Sequence, residues 1–261
     1  MFPIRDDQPS FSTPFVNYFI IGLNVIVFLF EQSIEYQDPR AYLALMFEFG
    51  VVPSHITHAL AGTGHVSLAA AFLPILTSMF LHGGWLHIIG NMWFLWIFGD
   101  NIEDQLGHFQ YLLFYLICGF AAALAHIVLN AGSNLPTVGA SGAISGVMGA
   151  YLLLYPRAKV LTLVVLIVFF TFWWLPAWLF LIYWFALQIL SGTQTIGRVG
   201  QETGGIAVWA HVGGFIAGLI LIKVFPQRAR GIQGKCSQPF GVPGGIRTPV
   251  TAVKGRCPRP G

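Results

Sequence analysis

Residues 137–143 read Thr-Val-Gly-Ala-Ser-Gly-Ala and mark the point at which a polar loop becomes an apolar segment rich in glycine and alanine. The loop covers Ala131 to Pro136, and the apolar segment runs from Ser141 to Tyr155. Small residues spaced four apart allow the backbone of one helix to approach a neighbouring helix closely. This stretch therefore predicts a closely packed helix that carries a serine hydroxyl at its start.

A second segment with the same small-residue spacing lies near the end of the apolar sequence. Gly142 and Gly146 are four residues apart in the first segment, and Gly214 and Gly218 are four apart in the second. Such faces are typical of two helices in backbone contact. We expect these two helices to pack against each other, with Gly139 contributing at the start of the first.

The composition of the chain excludes an ordinary soluble domain. Of the 261 residues, 56% are hydrophobic and 9% are charged, and the mean hydropathy is +0.71. These values indicate a polytopic membrane protein. The three cysteines are too few and too scattered for a disulfide framework or a metal cluster. We therefore expect no metal, no other cofactor and no nucleic-acid partner.

Several apolar segments have the length of a membrane-spanning helix, which takes about 20 residues to cross about 30 Å of hydrocarbon. The six candidate spans are Phe15–Glu31, Trp85–Ile102, His108–Leu129, Ser141–Tyr155, Pro176–Leu190 and Gly205–Phe225. The predicted fold class is all-α, a polytopic membrane protein built as a six-transmembrane-helix bundle. Ser141–Tyr155 is short for a full crossing, so we expect its start to lie below the membrane surface.

Lysine and arginine are unevenly distributed around these spans. Six crossings place both termini on one side of the membrane, and most of the basic residues fall on that side. They are Arg5, Arg157, Lys159, Lys223, Arg228 and Arg230, against Arg40 and Arg198 on the other side. Because basic loops stay in the cytoplasm, both termini are predicted to be cytoplasmic, and the bacterial inner (plasma) membrane is the favoured location.

The chain divides into three regions by composition. Residues 1–14 are assigned to a cytoplasmic N-terminal segment, residues 15–225 to the membrane domain, and residues 226–261 to a disordered cytoplasmic tail rich in Gly, Pro and Arg. The apolar stretch Val160–Leu190 is too long for one span and is divided at Pro176. The part before Pro176 fits an interfacial, an extended or a tilted-helical conformation.

A serine hydroxyl needs an adjacent base before it can act as a nucleophile, and histidine is the usual one. His211 lies in the last candidate span, on the helix that the glycine spacing brings toward Ser141. Ionisable residues inside a membrane are costly and mark function by default. We therefore assign Ser141 as the nucleophile and His211 as the base. Since no carboxylate within the spans is placed to orient His211, we expect a dyad rather than a triad.

Two further side chains are candidates for stabilising an oxyanion. His87 and Asn91 are one helical turn apart, so they share a helix face, and both can donate hydrogen bonds. Together with the backbone amide of Ser141, near the start of its helix, they could form an oxyanion hole. His82 is expected to be a structural hydrogen-bonding residue at the helix entrance. The acidic cluster 100–104 is expected to lie on a solvated turn.

These motifs resemble those of the rhomboid family of intramembrane serine proteases. The matching motifs are His87-x-x-x-Asn91, Gly139-Ala140-Ser141-Gly142 and Ala210-His211-x-Gly213-Gly214, in the family's order. The resemblance covers most of residues 15–225. It implies a six-helix core, a Ser141–His211 dyad, oxyanion support from His87 and Asn91, and no cofactor. It also implies lipid surroundings and transmembrane protein substrates that are cut near a helix end rich in small residues.

The chain departs from the family pattern at two places. Leu73-Pro74 replaces a Trp-Arg pair that many relatives carry in the first loop. Ser145 replaces an aromatic residue that often stacks on the catalytic histidine, so His211 must be held in another way.

Two other classes of protein remain open. The first is a catalytically silent rhomboid-like protein that binds membrane clients, a reading that loss of Ser141 or His211 would have favoured. The second is a transporter or channel, which charged residues lining the spans or an internal repeat would favour. The sequence shows neither feature, so the intramembrane serine endopeptidase is the leading hypothesis.

Overall fold

A computed structural model describes residues 1–63, 67–166, 169–195 and 207–228. Its helices are α1 (Phe15–Gln37), α2 (Pro39–Phe49), α3 (Pro53–Leu60), α4 (Leu68–Thr77), α5 (Trp85–Leu106), α6 (His108–Leu129), α7 (Ser141–Leu154), α8 (Ala177–Thr195) and α9 (Val208–Leu221). Its strands are β1 (Phe2–Asp6), β2 (Lys159–Leu166) and β3 (Phe169–Pro176). The start of the last predicted span, at residues 205 and 206, and most of the predicted tail, from residue 229, lie outside the described residues.

Each of the six predicted spans coincides with a helix, but the helices differ in length. Among the described residues, α1 and α6 are each long and apolar enough to cross a membrane. A third span is added if residues 70–80 and 85–106, which meet at a bend of 77°, form one broken span. The helices α7, α8 and α9 are apolar but shorter. The protein is therefore a mostly helical membrane protein.

The expectation of an all-α fold is wrong in one respect, because the chain also forms a three-stranded antiparallel sheet in the order β1-β2-β3. The stretch before Pro176 is thus extended, one of the three conformations that its sequence allowed. Its β-branched and aromatic residues favour a pleated strand. Val160, Thr162 and Val164 are buried at every second position of β2, as expected for a strand with one face on the core.

The core is centred on α7, whose residues are buried from Gly142 to Tyr151. Two glycines of α9 lie directly on two glycines of α7. A Cβ atom on Gly214 would collide with the carbonyl oxygen of Gly142, and one on Gly218 with that of Gly146. On the other side of α7, a Cβ on Gly146 would lie 2.5 Å from the Sγ of Cys118 in α6. The helix is therefore held between α6 and α9 at contact distances that only glycine permits.

The expectation of a solvated acidic turn at the end of α5 is wrong for Glu103. This residue is fully buried, and its carboxylate accepts hydrogen bonds from the backbone amides of Val16 and Asn17, at 2.9 and 2.7 Å. These amides lie in the first turn of α1, where they have no partner within the helix. A carboxylate near the positive end of a helix is also electrostatically favourable. Glu103 therefore caps α1 from a different helix.

Candidate active site

Ser141 is the first residue of α7. The chain reaches it through Gly139, whose φ of +128° is a conformation that L residues with side chains rarely adopt. The backbone amide of Gly139 donates a 2.8 Å hydrogen bond to the carbonyl of Ser78, and Thr137 pairs with Val51. These bonds hold the strained turn in place. Ser141 is thereby fixed at the point where the loop enters the helix.

His211 lies in the first turn of α9 and is 8% exposed. Its Nε2 atom is 2.7 Å from the Oγ atom of Ser141. The close crossing of α7 and α9 at their glycines makes this short distance possible, because bulkier side chains would separate the two helices. The structure therefore brings together the two residues that the sequence analysis assigned as nucleophile and base.

The other edge of the His211 ring contacts a residue that the sequence analysis did not select. Nδ1 of His211 lies 2.9 Å from Oε1 of Gln188 in α8. The partner on this edge is thus an amide and not a carboxylate. The only signal in the sequence was an amide in the otherwise apolar first part of α8. Gln188 was missed because the sequence argument selected ionisable residues in the spans, and an amide is neutral.

An aromatic residue from α8 also packs on His211. The ring centroids of Trp184 and His211 are 5.8 Å apart, with an interplanar angle of 36°. Ser145, at the position of the expected aromatic residue, instead donates a 2.6 Å hydrogen bond to the carbonyl of Ser141. His211 is therefore held from α8 rather than from α7.

The two oxyanion candidates lie beside the turn that precedes Ser141. A Cβ atom on Gly139 would be 2.8 Å from Nε2 of His87 and 3.6 Å from Nδ2 of Asn91. The Nδ2 atom of Asn91 is buried and has no hydrogen-bond partner within the described part of the chain. Leaving a buried donor unpaired costs about 1–3 kcal/mol. This donor is therefore free to bind a ligand that reaches Ser141.

His82 lies at the helix entrance, where a structural role was expected for it. Its ring is fully buried. The ring lies edge-on to His87, with centroids 5.1 Å apart. The hydrogen bond at this helix entrance comes from the backbone amide of His82, which donates to Glu31 at 3.1 Å. The structural contact is thus made by the main chain.

A narrow cleft adjoins Ser141. Most of the side chains that line it are small, and they come from α6, α7, α9, the turn before Ser141 and the segment after α4. The lining includes Met79, Gly119, Ala122, Ala123, His126, Gly142 and Ala210. Such a cleft admits a small side chain next to the serine hydroxyl. No group of three or more His, Cys, Asp or Glu residues in the described ranges is arranged to hold a metal ion.

The sequence of this chain is similar to those of known proteins. A family model of the Rhomboid domain matches residues 69–228. The mitochondrial RHOMBOID-like protein 6 of Arabidopsis thaliana is 41% identical over 78 residues, which are 30% of this chain and 25% of that protein. The mitochondrial Rhomboid protein 1 of Saccharomyces cerevisiae is 28% identical over 151 residues, 56% of this chain and 38% of that protein. Rhomboid protease GluP of Bacillus subtilis is 40% identical over 78 residues, 30% of this chain and 15% of that protein.

The matches cover only part of each relative, and this chain spans about a quarter of the length of the Arabidopsis protein. The names and source organisms of the relatives differ in cellular location. Two are mitochondrial, another Arabidopsis relative is chloroplastic, and GluP is bacterial. The comparisons therefore support a membrane protein without favouring the bacterial inner membrane.

Proposed function

The chain belongs to the rhomboid family, and on that premise we propose that it is a serine endopeptidase that cleaves transmembrane segments of membrane proteins within the bilayer. The observation that carries the proposal is the 2.7 Å contact between Nε2 of His211 and Oγ of Ser141. The unpaired amide donor of Asn91 beside the same turn supports it. A nucleophile, a base and a free donor are the parts that acyl transfer requires.

The reaction follows from these contacts. His211 removes the hydroxyl proton of Ser141 while Oγ attacks the carbonyl carbon of the scissile peptide bond. Asn91, His87 and the amide of Ser141 donate hydrogen bonds to the oxygen that becomes negatively charged. His211 then gives its proton to the leaving nitrogen as the C–N bond breaks. A water molecule, deprotonated by His211, finally attacks the acyl carbon, and His211 returns that proton to Oγ of Ser141 as the C–Oγ bond breaks and the acid is released.

We further propose that α1, α5, α6, α7, α8 and α9 are the six membrane spans. The 14 residues of α7 give a helix about 21 Å long, which is shorter than the hydrocarbon layer of about 30 Å. This length fits a serine that lies below the membrane surface. The distribution of lysine and arginine supports cytoplasmic termini. The bacterial inner membrane remains one candidate beside the organelle membranes of the relatives.

The substrates we propose are transmembrane proteins with small residues near a helix end. The cleft next to Ser141 supports this choice, because Gly119, Ala122 and Gly142 leave space for little more than a small side chain. Lipids surround the protein and its substrate in this proposal.

The test is an incubation of the purified protein with a panel of single-span membrane proteins, next to the Ser141→Ala variant. We expect cleavage by the wild-type protein only. A fluorophosphonate probe reports on the serine independently of substrate, and we expect it to label the wild-type protein but not Ser141→Ala. Equal cleavage by both proteins would refute the proposal. A wild-type protein that binds these substrates, yet neither cleaves them nor reacts with the probe, would favour the catalytically silent alternative.

A further inference from the structure

We propose that Gln188 is a positioning residue, whose side-chain carbonyl holds His211 in the one tautomer that can deprotonate Ser141. This inference rests on the proposed protease function and adds a third side chain to the predicted dyad. It concerns the far edge of the imidazole ring, where the sequence analysis found no candidate. The residue acts on His211 and has no need to touch the substrate.

The tautomer of the His211 ring decides whether the ring can act as a base. A neutral imidazole carries one N–H group, and its other nitrogen is an acceptor. Nε2 faces Oγ of Ser141 at 2.7 Å, so it must be the unprotonated nitrogen if His211 is to accept the serine proton. The N–H group then belongs to Nδ1. In the opposite tautomer Nε2–H would donate to Oγ, and the ring could not act as a base.

The hydrogen-bond partner of Nδ1 is the side-chain carbonyl of Gln188. Oε1 of Gln188 lies 2.9 Å from Nδ1. In this orientation the amide of Gln188 presents its carbonyl oxygen, which only accepts hydrogen bonds, so it pairs with the productive tautomer and not with the other. When His211 takes up the serine proton, Nδ1 keeps its hydrogen and the bond to Gln188 persists. The carbonyl dipole then also stabilises the positive charge on the ring.

Aromatic contacts hold α8, the helix that carries Gln188, in place. Trp184 and Gln188 are one turn apart in α8 and therefore share a face. Trp184 packs on the ring of His211 and also lies 6.1 Å from the ring of Phe215 in α9. Phe185 stacks on the same Phe215 ring at 4.5 Å. These aromatic contacts hold α8 against α9, so the amide stays within reach of Nδ1.

The choice of an amide also has a physical reason. A carboxylate at this position would lie half-buried on an apolar helix, where part of its hydration is lost at a cost in free energy. Glutamine provides the same acceptor geometry without a net charge. It fixes the tautomer while stabilising the charged ring less than a carboxylate would.

The decisive variant is Gln188→Met, which keeps the length of the side chain and removes the acceptor. We expect kcat to fall by about 10- to 10²-fold with little change in KM, because the productive tautomer is lost while the substrate contacts remain. The rate of fluorophosphonate labelling is expected to fall by a similar factor. Gln188→Glu restores an acceptor oxygen and is expected to recover most of the labelling rate. Ile189→Met, at the exposed neighbouring position, is the matched control and should behave like the wild-type protein.

A spectroscopic readout tests the tautomer of His211 in the wild-type protein itself. The ¹⁵N chemical shifts of His211 distinguish protonated from unprotonated ring nitrogens, and the His211→Asn variant assigns the signals. We expect an unprotonated Nε2 in the wild-type protein at neutral pH. A protonated Nε2, or a Gln188→Met variant with wild-type kcat and labelling rate, would overturn the positioning role alone. A wild-type protein that neither cleaves nor labels would instead overturn the proposed function, and the positioning role with it.

Discussion

Glu103, at the end of α5, and Asn91, beside Ser141, are both buried polar residues but differ in the hydrogen bonds that they make. At the end of α5, Glu103 accepts from two backbone amides of α1 and lies 2.5 Å from Nδ1 of His108. Nearby, the hydroxyl of Tyr111 donates to Asn17 at 2.7 Å. Around Ser141, by contrast, the amide nitrogen of Asn91 has no hydrogen-bond partner in the described part of the chain.

This difference separates two uses of buried polarity. A buried polar group with its hydrogen bonds made stabilises one arrangement of the chain, whereas a buried donor without a partner lowers stability. Glu103 therefore maintains the fold. The unpaired donor near Ser141 lowers the stability of the free protein, and this free energy is recovered only when a ligand accepts a hydrogen bond from it. The two residues should consequently respond in different ways to substitution.

The largest effect is expected at the contact between Ser141 and His211. We expect Ser141→Ala and His211→Ala each to reduce kcat by about 10⁴-fold or more, since a serine without its base is nearly inert. Neither change should greatly alter the thermal unfolding of the purified protein. Because the two residues act as a unit, the double variant is expected to be no less active than either single variant. Additive losses in a cleavage assay would show that the two residues act separately.

A smaller loss is expected for the free donor. We expect Asn91→Ala to lower kcat by about 10- to 10³-fold with a smaller effect on KM, because the donor acts on the developing oxyanion. Its free energy of unfolding should not fall by more than about 1 kcal/mol, since the nitrogen makes no hydrogen bond to lose and its unpaired donor already lowers the stability of the wild-type protein. His87→Ala is expected to follow the same pattern. If both variants changed only KM, the oxyanion donors would lie elsewhere.

The opposite response is expected at Glu103. Glu103→Ala leaves the buried amides of Val16 and Asn17 without an acceptor, so we expect the free energy of unfolding to fall by about 2–4 kcal/mol. Activity per folded molecule should remain close to that of the wild-type protein. Glu35→Ala removes an exposed carboxylate and serves as the control, with an expected change below about 0.5 kcal/mol. Unfolding in detergent, followed by a cleavage assay on the folded fraction, measures both quantities. An unchanged stability would remove the contrast between Glu103 and Asn91.

A further effect is expected in the pH dependence of stability near β1, where Asp6 lies. Burial raises the pKa of Asp6 to about 7. The hydroxyl of Tyr151 donates a hydrogen bond to Asp6, which has a smaller, opposite effect on this pKa. The ordinary pKa of an aspartate is about 3.9. The folded protein therefore binds this proton more tightly than the unfolded chain does. The stabilising contribution is complete below about pH 4 and is lost as the pH rises through about 7.

We expect Asp6→Asn to remove this part of the pH dependence, because an amide keeps its form across the range. Thermal unfolding of both proteins between pH 4 and pH 8 is the measurement. Parallel curves for the two proteins would show that Asp6 titrates in the folded state as it does in the unfolded chain.

Local features of the sequence were sufficient to predict the six helices that coincide with the candidate spans. The predicted segment His108–Leu129 is the observed α6, and α5 and α7 begin at the predicted residues Trp85 and Ser141. Apolar length and small-residue spacing act within a few turns of one segment, so they can be read without knowing the rest of the fold. The predicted family is confirmed by the Rhomboid domain match over residues 69–228.

Distant pairings were the part that escaped prediction. Residues 2–6 looked like a free polar segment, yet they form the edge of a sheet with β2, more than 150 positions along the chain. The acidic residues at the end of α5 looked solvated because nothing nearby in sequence needs an acceptor. Two of the partners of Glu103 are backbone amides in α1, and the bond from Asn17 to Glu103 joins residues 86 positions apart.

The sequence by itself therefore determined that the chain is a helical membrane protein of the rhomboid family, and it supplied a serine, two histidines and an asparagine as site candidates. Only the tertiary structure decided which atoms meet: Nε2 of His211 with Oγ of Ser141, and Nδ1 of His211 with Oε1 of Gln188. The physical reason is that a hydrogen bond depends on distance and angle between groups that different helices carry. Those quantities are fixed by how α7, α8 and α9 pack, and no single segment of the chain contains that information.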